Sequence, residues 1–100
     1  MATVNFGLCD MGPDVDVSLD YDSVSLLVLD VNYVNASNKN ARVTLTISGT
    51  AHDVILNANT ARTTKDISGL GIHMVNTTPP KGDPSIGLPS NISVNCAWPA

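Results

Sequence analysis

The 100-residue chain contains no Glu and no Gln, and its Lys and Arg together number five. Charged residues make up 14%, well under the ~25% of an ordinary globular domain. The straight-chain residues that favour helices are therefore missing or scarce, which argues against a helical fold. A net charge of −4 excludes a nucleic-acid interface, because phosphate contacts need a basic face. It also excludes attraction to an anionic membrane surface. No apolar run approaches the ~18 residues of a spanning helix, so no membrane insertion is expected.

Motifs of chemistry are missing too. The chain has no G-x-S-x-G elbow, P-loop or H-E-x-x-H. Without Glu, acid–base work falls to Asp, and the histidines are His52 and His73. His52 and Asp53 are adjacent, but strand neighbours point to opposite faces. Nothing in the spacing of His52, His73 and a cysteine resembles a zinc site. No catalytic residue, no cofactor and no enzymatic activity are expected. The four aromatics, Phe6, Tyr21, Tyr33 and Trp98, make a poor stacking platform for sugars, and Tyr21 and Trp98 read as core by parity. Hydrogen bonding by Asn- and Asp-rich loops leaves a glycan open as a partner.

What is present is strand and turn material. Hydrophobic residues make up 43%, with ten Asn, nine Thr, nine Ser and nine Asp beside them. Val, Ile and Thr suit pleated, half-buried strands, and Asn, Asp, Ser, Gly and Pro suit turns. One domain over residues 1–100 is expected. Alternation predicts strands at 3–9, 15–21, 24–34, 42–48, 53–57, 61–67, 70–76 and 91–98. The architecture predicted is all-β, an antiparallel β-sandwich of immunoglobulin-like size, with a small jelly roll or barrel as the alternative. The Cys–Trp–Cys order of antibody domains is absent, because Trp98 follows both cysteines.

Cys9 and Cys96 are not spaced as metal ligands or as a redox pair, and near the two chain ends they are candidates for a disulfide. Closing so long a loop would stabilise by about 4–5 kcal/mol in the chain-entropy model and would require an oxidising location. The opening Met1-Ala-Thr-Val-Asn does not read as a secretion signal. Either the chain is made without one, or Met1 stands where one was removed.

Asp14, Asp16, Asp20 and Asp22 form an acidic run that alternates along a strand. Calcium wants several oxygen ligands, yet outward side chains of a flat strand sit ~7 Å apart. These four are weak metal candidates, and a solvated strand face is the expectation. Charge is also segregated along the chain. Residues 1–38 hold six Asp and no Lys or Arg, whereas residues 39–100 hold three Asp and all five basic residues. Such polarity could steer subunits head to tail. Asn35, Asn76 and Asn91 match the N-glycosylation acceptor pattern, at a frequency expected by chance in so Asn- and Ser/Thr-rich a chain.

The segment 24–34 is apolar on both parities. In a two-layer sandwich this leaves Val24, Leu26, Val28 and Val34 exposed, and exposed contiguous apolar area marks an interface. The Pro-rich stretch 77–90, with Pro79, Pro80, Lys81 and Pro84, reads as a loop or arm that docks on a neighbour. These features predict a non-enzymatic structural or interaction protein. It would be a subunit or decoration protein on a larger assembly, such as a virion or a surface filament. Its partners would be protein, through self-association or a larger assembly, and its location virion or extracellular. The alternative is a secreted recognition module that binds a glycan or a cell-surface protein through its loops.

Overall fold

The structure is a computed structural model and describes residues 2–77 and 83–98, with Asp10 described by its backbone alone. Seven strands make two antiparallel sheets packed face to face as a small β-sandwich. The first sheet has the order β1 (Thr3–Asp10), β2 (Val15–Asp22), β3 (Val28–Asn35), β6 (Thr60–Asp66). The second has the order β5 (Thr50–Leu56), β4 (Ala41–Ile47), β7 (Ile92–Ala97). This order departs from the immunoglobulin constant type, in which the fourth and fifth strands share a sheet with the first two. Here β3 pairs with β6 and β4 with β5. One long hairpin is thus folded across both sheets, with its corner at the connections 36–40 and 57–59.

Alternation places the core. Val15, Val17, Leu19 and Tyr21 of β2 face inward, against Val43 and Leu45 of β4 and Val54 and Leu56 of β5. The partner faces of β2 are polar, as a half-solvated antiparallel sheet requires.

The expected strand 24–34 is shorter and phased differently. The Asp22 carboxylate accepts hydrogen bonds from the backbone N–H groups of Val24 (2.8 Å) and Ser25 (3.4 Å). Leu26 N–H donates to the Asp22 carbonyl at 2.8 Å, and Leu26 lies at φ +65°. This Asx-type turn ends β2 and delays β3 until Val28. A bulge then sets Leu29 between two paired positions, because Asp20 opposes Asp30 and Tyr21 opposes Val28. One extra residue flips the side-chain phase. Val28, Val31, Tyr33 and Asn35 therefore point inward. The exposed stripe inferred from parity does not exist: Val28 is fully buried, Leu26 and Val34 are half-buried, and Val24 alone is exposed, in the turn.

The expected strand 70–76 is a 3-10 turn, Ser68–Leu70, followed by an extended segment with a single bridge from His73 to Leu27. Ile72 and Met74 nonetheless fill the core. Of the expected arm 77–90, the described part packs back on the sandwich. A one-turn helix, α1 (Pro84–Gly87), carries half-buried Pro84 at its start. A side chain at Gly87 would meet Phe6 Cζ at 2.9 Å and Met74 Cε at 3.1 Å, and Leu88 is buried. Pro79, Pro80 and Lys81 lie outside the described residues. Trp98, inward by parity, is 42% exposed, since the chain leaves β7 at Ala97.

Candidate functional site

The acidic run is dispersed by the fold. Asp14 is exposed in the turn before β2, and Asp22 is committed to the turn after it. Those hydrogen bonds, the one from Val24 N–H first, hold the Asp22 carboxyl below the usual range. Asp16 and Asp20 face outward. Asp16 receives Arg62 Nη2 from β6 at 3.2 Å, and Arg62 Nη1 also donates to Asn32 Oδ1 at 2.6 Å.

Pairing register assembles a different carboxylate set. Asn5, Asp20, Asp30 and Asp66 lie directly across from one another on β1, β2, β3 and β6. Like charges directly opposite repel. Burial, followed by its hydrogen bond with Asp20 and the charges of Asp20 and Asp66, raises the Asp30 carboxyl to about 6. Its Oδ1 is buried without a hydrogen-bond partner, as suits a neutral acid better than a carboxylate. Burial also pushes Asp20 upward, but hydrogen bonds from Asp30, Asn5 and Asn32 and the Arg62 charge outweigh it and hold Asp20 below its usual value. Strand-by-strand parity missed Asp30 and Asp66, because only the β2–β3–β6 register aligns them. Among the described residues, no group of three or more His, Cys, Asp or Glu side chains is arranged to hold a metal ion.

The histidines are apart in the fold. His73 is exposed beside Leu27. His52 lies on β5 opposite Leu45 and lines a cleft of about 300 Å³ between the free sides of β5 and β6. Leu45, Val54, Ile67 and Leu70 floor it, and Asp53, Lys65 and Asp66 join His52 at its wall. Asp53 accepts a hydrogen bond from Thr44 Oγ1 at 2.7 Å, and Asp66 accepts two from Ser68.

The three glycan acceptor patterns are unequal. Asn35 is fully buried. Its Nδ2 donates to the carbonyls of Lys39 (2.8 Å) and Leu56 (2.9 Å), and its Oδ1 accepts from Ser37 N–H and Ser37 Oγ. With its amide hydrogens used and no access, Asn35 pins the corner of the folded hairpin and is closed to a glycan. Asn76 is half-buried. Asn91 is exposed, with Nδ2 donating to Ser48 Oγ at 3.1 Å.

On the side opposite the cleft, a disulfide joins Cys9 of β1 to Cys96 of β7, with Cα atoms 6.5 Å apart. Cys9 is buried and Cys96 half-buried. The bond links the two sheets and suggests an oxidising, extracellular environment. Among the described residues no helix is long and apolar enough to cross a membrane.

One end of the sandwich is apolar and exposed. Ser23 N–H donates to the Ala2 carbonyl, Met74 N–H to Leu26 and Val75 N–H to Gly87, each at 2.9 Å. These bonds bring the start of β1, the 23–27 turn, the 72–76 segment and α1 to the same end. Val24 there is 80% exposed, Val75 64% and Ile86 43%. Parity pointed to Val24 for the wrong reason, and Val75 and Ile86 carried no sequence signal beyond being apolar. No protein family, no curated protein and no solved structure matches this chain.

Proposed function

We propose that this protein is a non-enzymatic structural or interaction protein, a subunit or decoration protein on the surface of a larger assembly such as a virion or a surface filament. The observation that carries this reading is the apolar end formed by Val24, Val75 and Ile86. Exposed apolar residues on adjoining segments of a small domain are what a protein partner covers. The disulfide between the first and last strands supports use in an oxidising setting. The polar side chains support it as well. Asn35, Asp22, Asp53 and Asp66 each hold a turn or a neighbouring strand.

The test is light scattering on a size-exclusion column over a concentration series, with the oxidised protein and a Val24→Asp/Ile86→Asp variant. The expected result is a wild-type mass rising above 10.5 kDa and a variant with reduced association. Both positions are exposed, so the variant should melt like the parent. An association unchanged by the two aspartates would overturn the role given to this end.

The cleft between β5 and β6 favours a second reading, a secreted recognition module for a glycan or a cell-surface protein. Its floor is apolar, and His52, Asp53, Lys65 and Asp66 supply several polar groups at one opening, the arrangement by which small-ligand sites fix orientation. Binding on a glycan array, lost in a His52→Ala/Lys65→Ala variant, would select this reading.

A further inference from the structure

We infer that the cleft between β5 and β6 holds a small carboxylic acid with an apolar body, its carboxylate bound by Lys65 and His52. The inference rests on the cleft of the second reading and gives it a ligand of stated class, a single small amphiphile. It begins from the two unequal sides of the sandwich. Strands β1 and β7 end the two sheets on one side, and the Cys9–Cys96 disulfide ties them together there. Strands β6 and β5 end the sheets on the other side and do not pair with each other. The space between the sheets is therefore open along this side, and the turn Ser68–Leu70 borders the opening.

Register decides which polar groups enter that space, because residues paired across neighbouring strands share a face. Lys65 pairs with Val31 and His52 with Leu45, and Val31 and Leu45 are core residues. Lys65 and His52 thus hold inward positions on edge strands of opposite sheets, and both line the cleft. Asp53 and Asp66 pair with Thr44 and Asp30 at outward positions. Thr44 Oγ1 donates to Asp53 Oδ1 at 2.7 Å, and Ser68 N–H and Oγ donate to Asp66 Oδ1 at 2.9 and 2.7 Å. The two carboxylates at the rim are therefore engaged and turned to water, where charges interact weakly. Among the described residues no side-chain hydrogen bond or ion pair engages Lys65 or His52. An ammonium and an imidazole without partners, inward of the rim carboxylates, select an anionic head, which accepts charge-assisted hydrogen bonds from both. The floor of Leu45, Val54, Ile67 and Leu70 disfavours a ligand that is polar throughout, because its groups would be buried without partners. A volume of about 300 Å³ lies at the lower limit of small-molecule sites and suits a short alkyl or aryl body.

The experiment is a titration of the oxidised protein, followed by proton–nitrogen correlation NMR, with octanoate, octan-1-ol and octylamine, which share a tail and differ in the charge of the head. Octanoate should shift the amides of His52, Val54, Lys65, Ile67 and Leu70, with a Kd about threefold or more below that of octan-1-ol, and octylamine should bind weakest. Lys65 is exposed, so Lys65→Gln should fold as the parent does. It should raise the octanoate Kd about threefold or more and leave octan-1-ol unchanged. Lys65→Glu should reverse the preference toward octylamine. Equal binding of the three heads, tighter binding of octylamine by the parent, or an octanoate affinity that ignores Lys65→Gln would overturn the carboxylate assignment. Shifts confined to Val24, Val75 and Ile86 would overturn the cleft as the site. Silence toward octanoate at millimolar concentration would overturn this inference alone, because the glycan array tests the second reading separately.

Discussion

Replacing Asp30 by Asn should make this protein more stable at neutral pH and leave it nearly unchanged in mild acid. The Asp30 carboxyl is raised from 3.8 in the unfolded chain to about 6 in the fold. Burial is the larger cause, followed by the hydrogen bond with Asp20 and the charges of Asp20 and Asp66. A group with a raised folded pKa favours the native state while it is protonated. Its contribution is therefore complete below about pH 4 and is lost as pH rises through 6. The shift corresponds to a ceiling of about 3 kcal/mol, which partial exposure on the outer sheet face discounts to about 1–2 kcal/mol. An amide has the shape of the carboxylic acid and can donate to Asp20 as the acid does, but it cannot ionise. Asp30→Asn should thus gain about 1–2 kcal/mol over the parent at pH 7.5, or roughly 4–16 °C in Tm for a domain this size, and little at pH 4.5. The assay is urea unfolding under non-reducing conditions at four pH values from 4.5 to 7.5, with ΔG from linear extrapolation. Parallel curves of stability against pH for the two proteins would refute the raised Asp30 carboxyl.

Other consequences follow from single contacts. Asn35→Ala removes the side chain that satisfies the Lys39 and Leu56 carbonyls and orders Ser37, and should cost about 2–4 kcal/mol in the same unfolding assay. Gly87→Ala would set a methyl 2.9 Å from the Phe6 ring; the ring and Met74 must move, so a loss of about 1–3 kcal/mol is expected from a thermal melt. Cys9→Ala/Cys96→Ala opens a loop of 87 residues and should cost about 4–5 kcal/mol less any relief of strain, with the wild type falling to a similar stability on reduction. If the chain is passed through a eukaryotic secretory pathway, glycopeptide mapping of the folded product should find occupancy at exposed Asn91 and none at Asn35, whose amide is buried and spent.

Composition and period-two alternation were enough for the class of fold. A chain without Glu or Gln, rich in Val and Thr, with clean alternation in β2 and β4, had to form strands with one buried face, and two such sheets need each other. Val17, Leu19, Val43 and Leu45 are core residues for that reason. Three things depended on tertiary structure. The phase of β3 turned on one bulge residue, Leu29, set by pairing against β2, and that shift buried Val28, which parity had placed outside. The assignment of β5 and β6 to different sheets came from the long-range pairings of β6 with β3 and β5 with β4, with Asn35 bonded to the Leu56 carbonyl at the corner. The alignment of Asp20, Asp30 and Asp66 and the meeting of Val24, Val75 and Ile86 arise from register and from three separate turns. Local spacing fixes which face a side chain takes within one strand. Which side chains become neighbours is decided by long-range pairing, and so the surfaces that bear on function appear only in the folded chain.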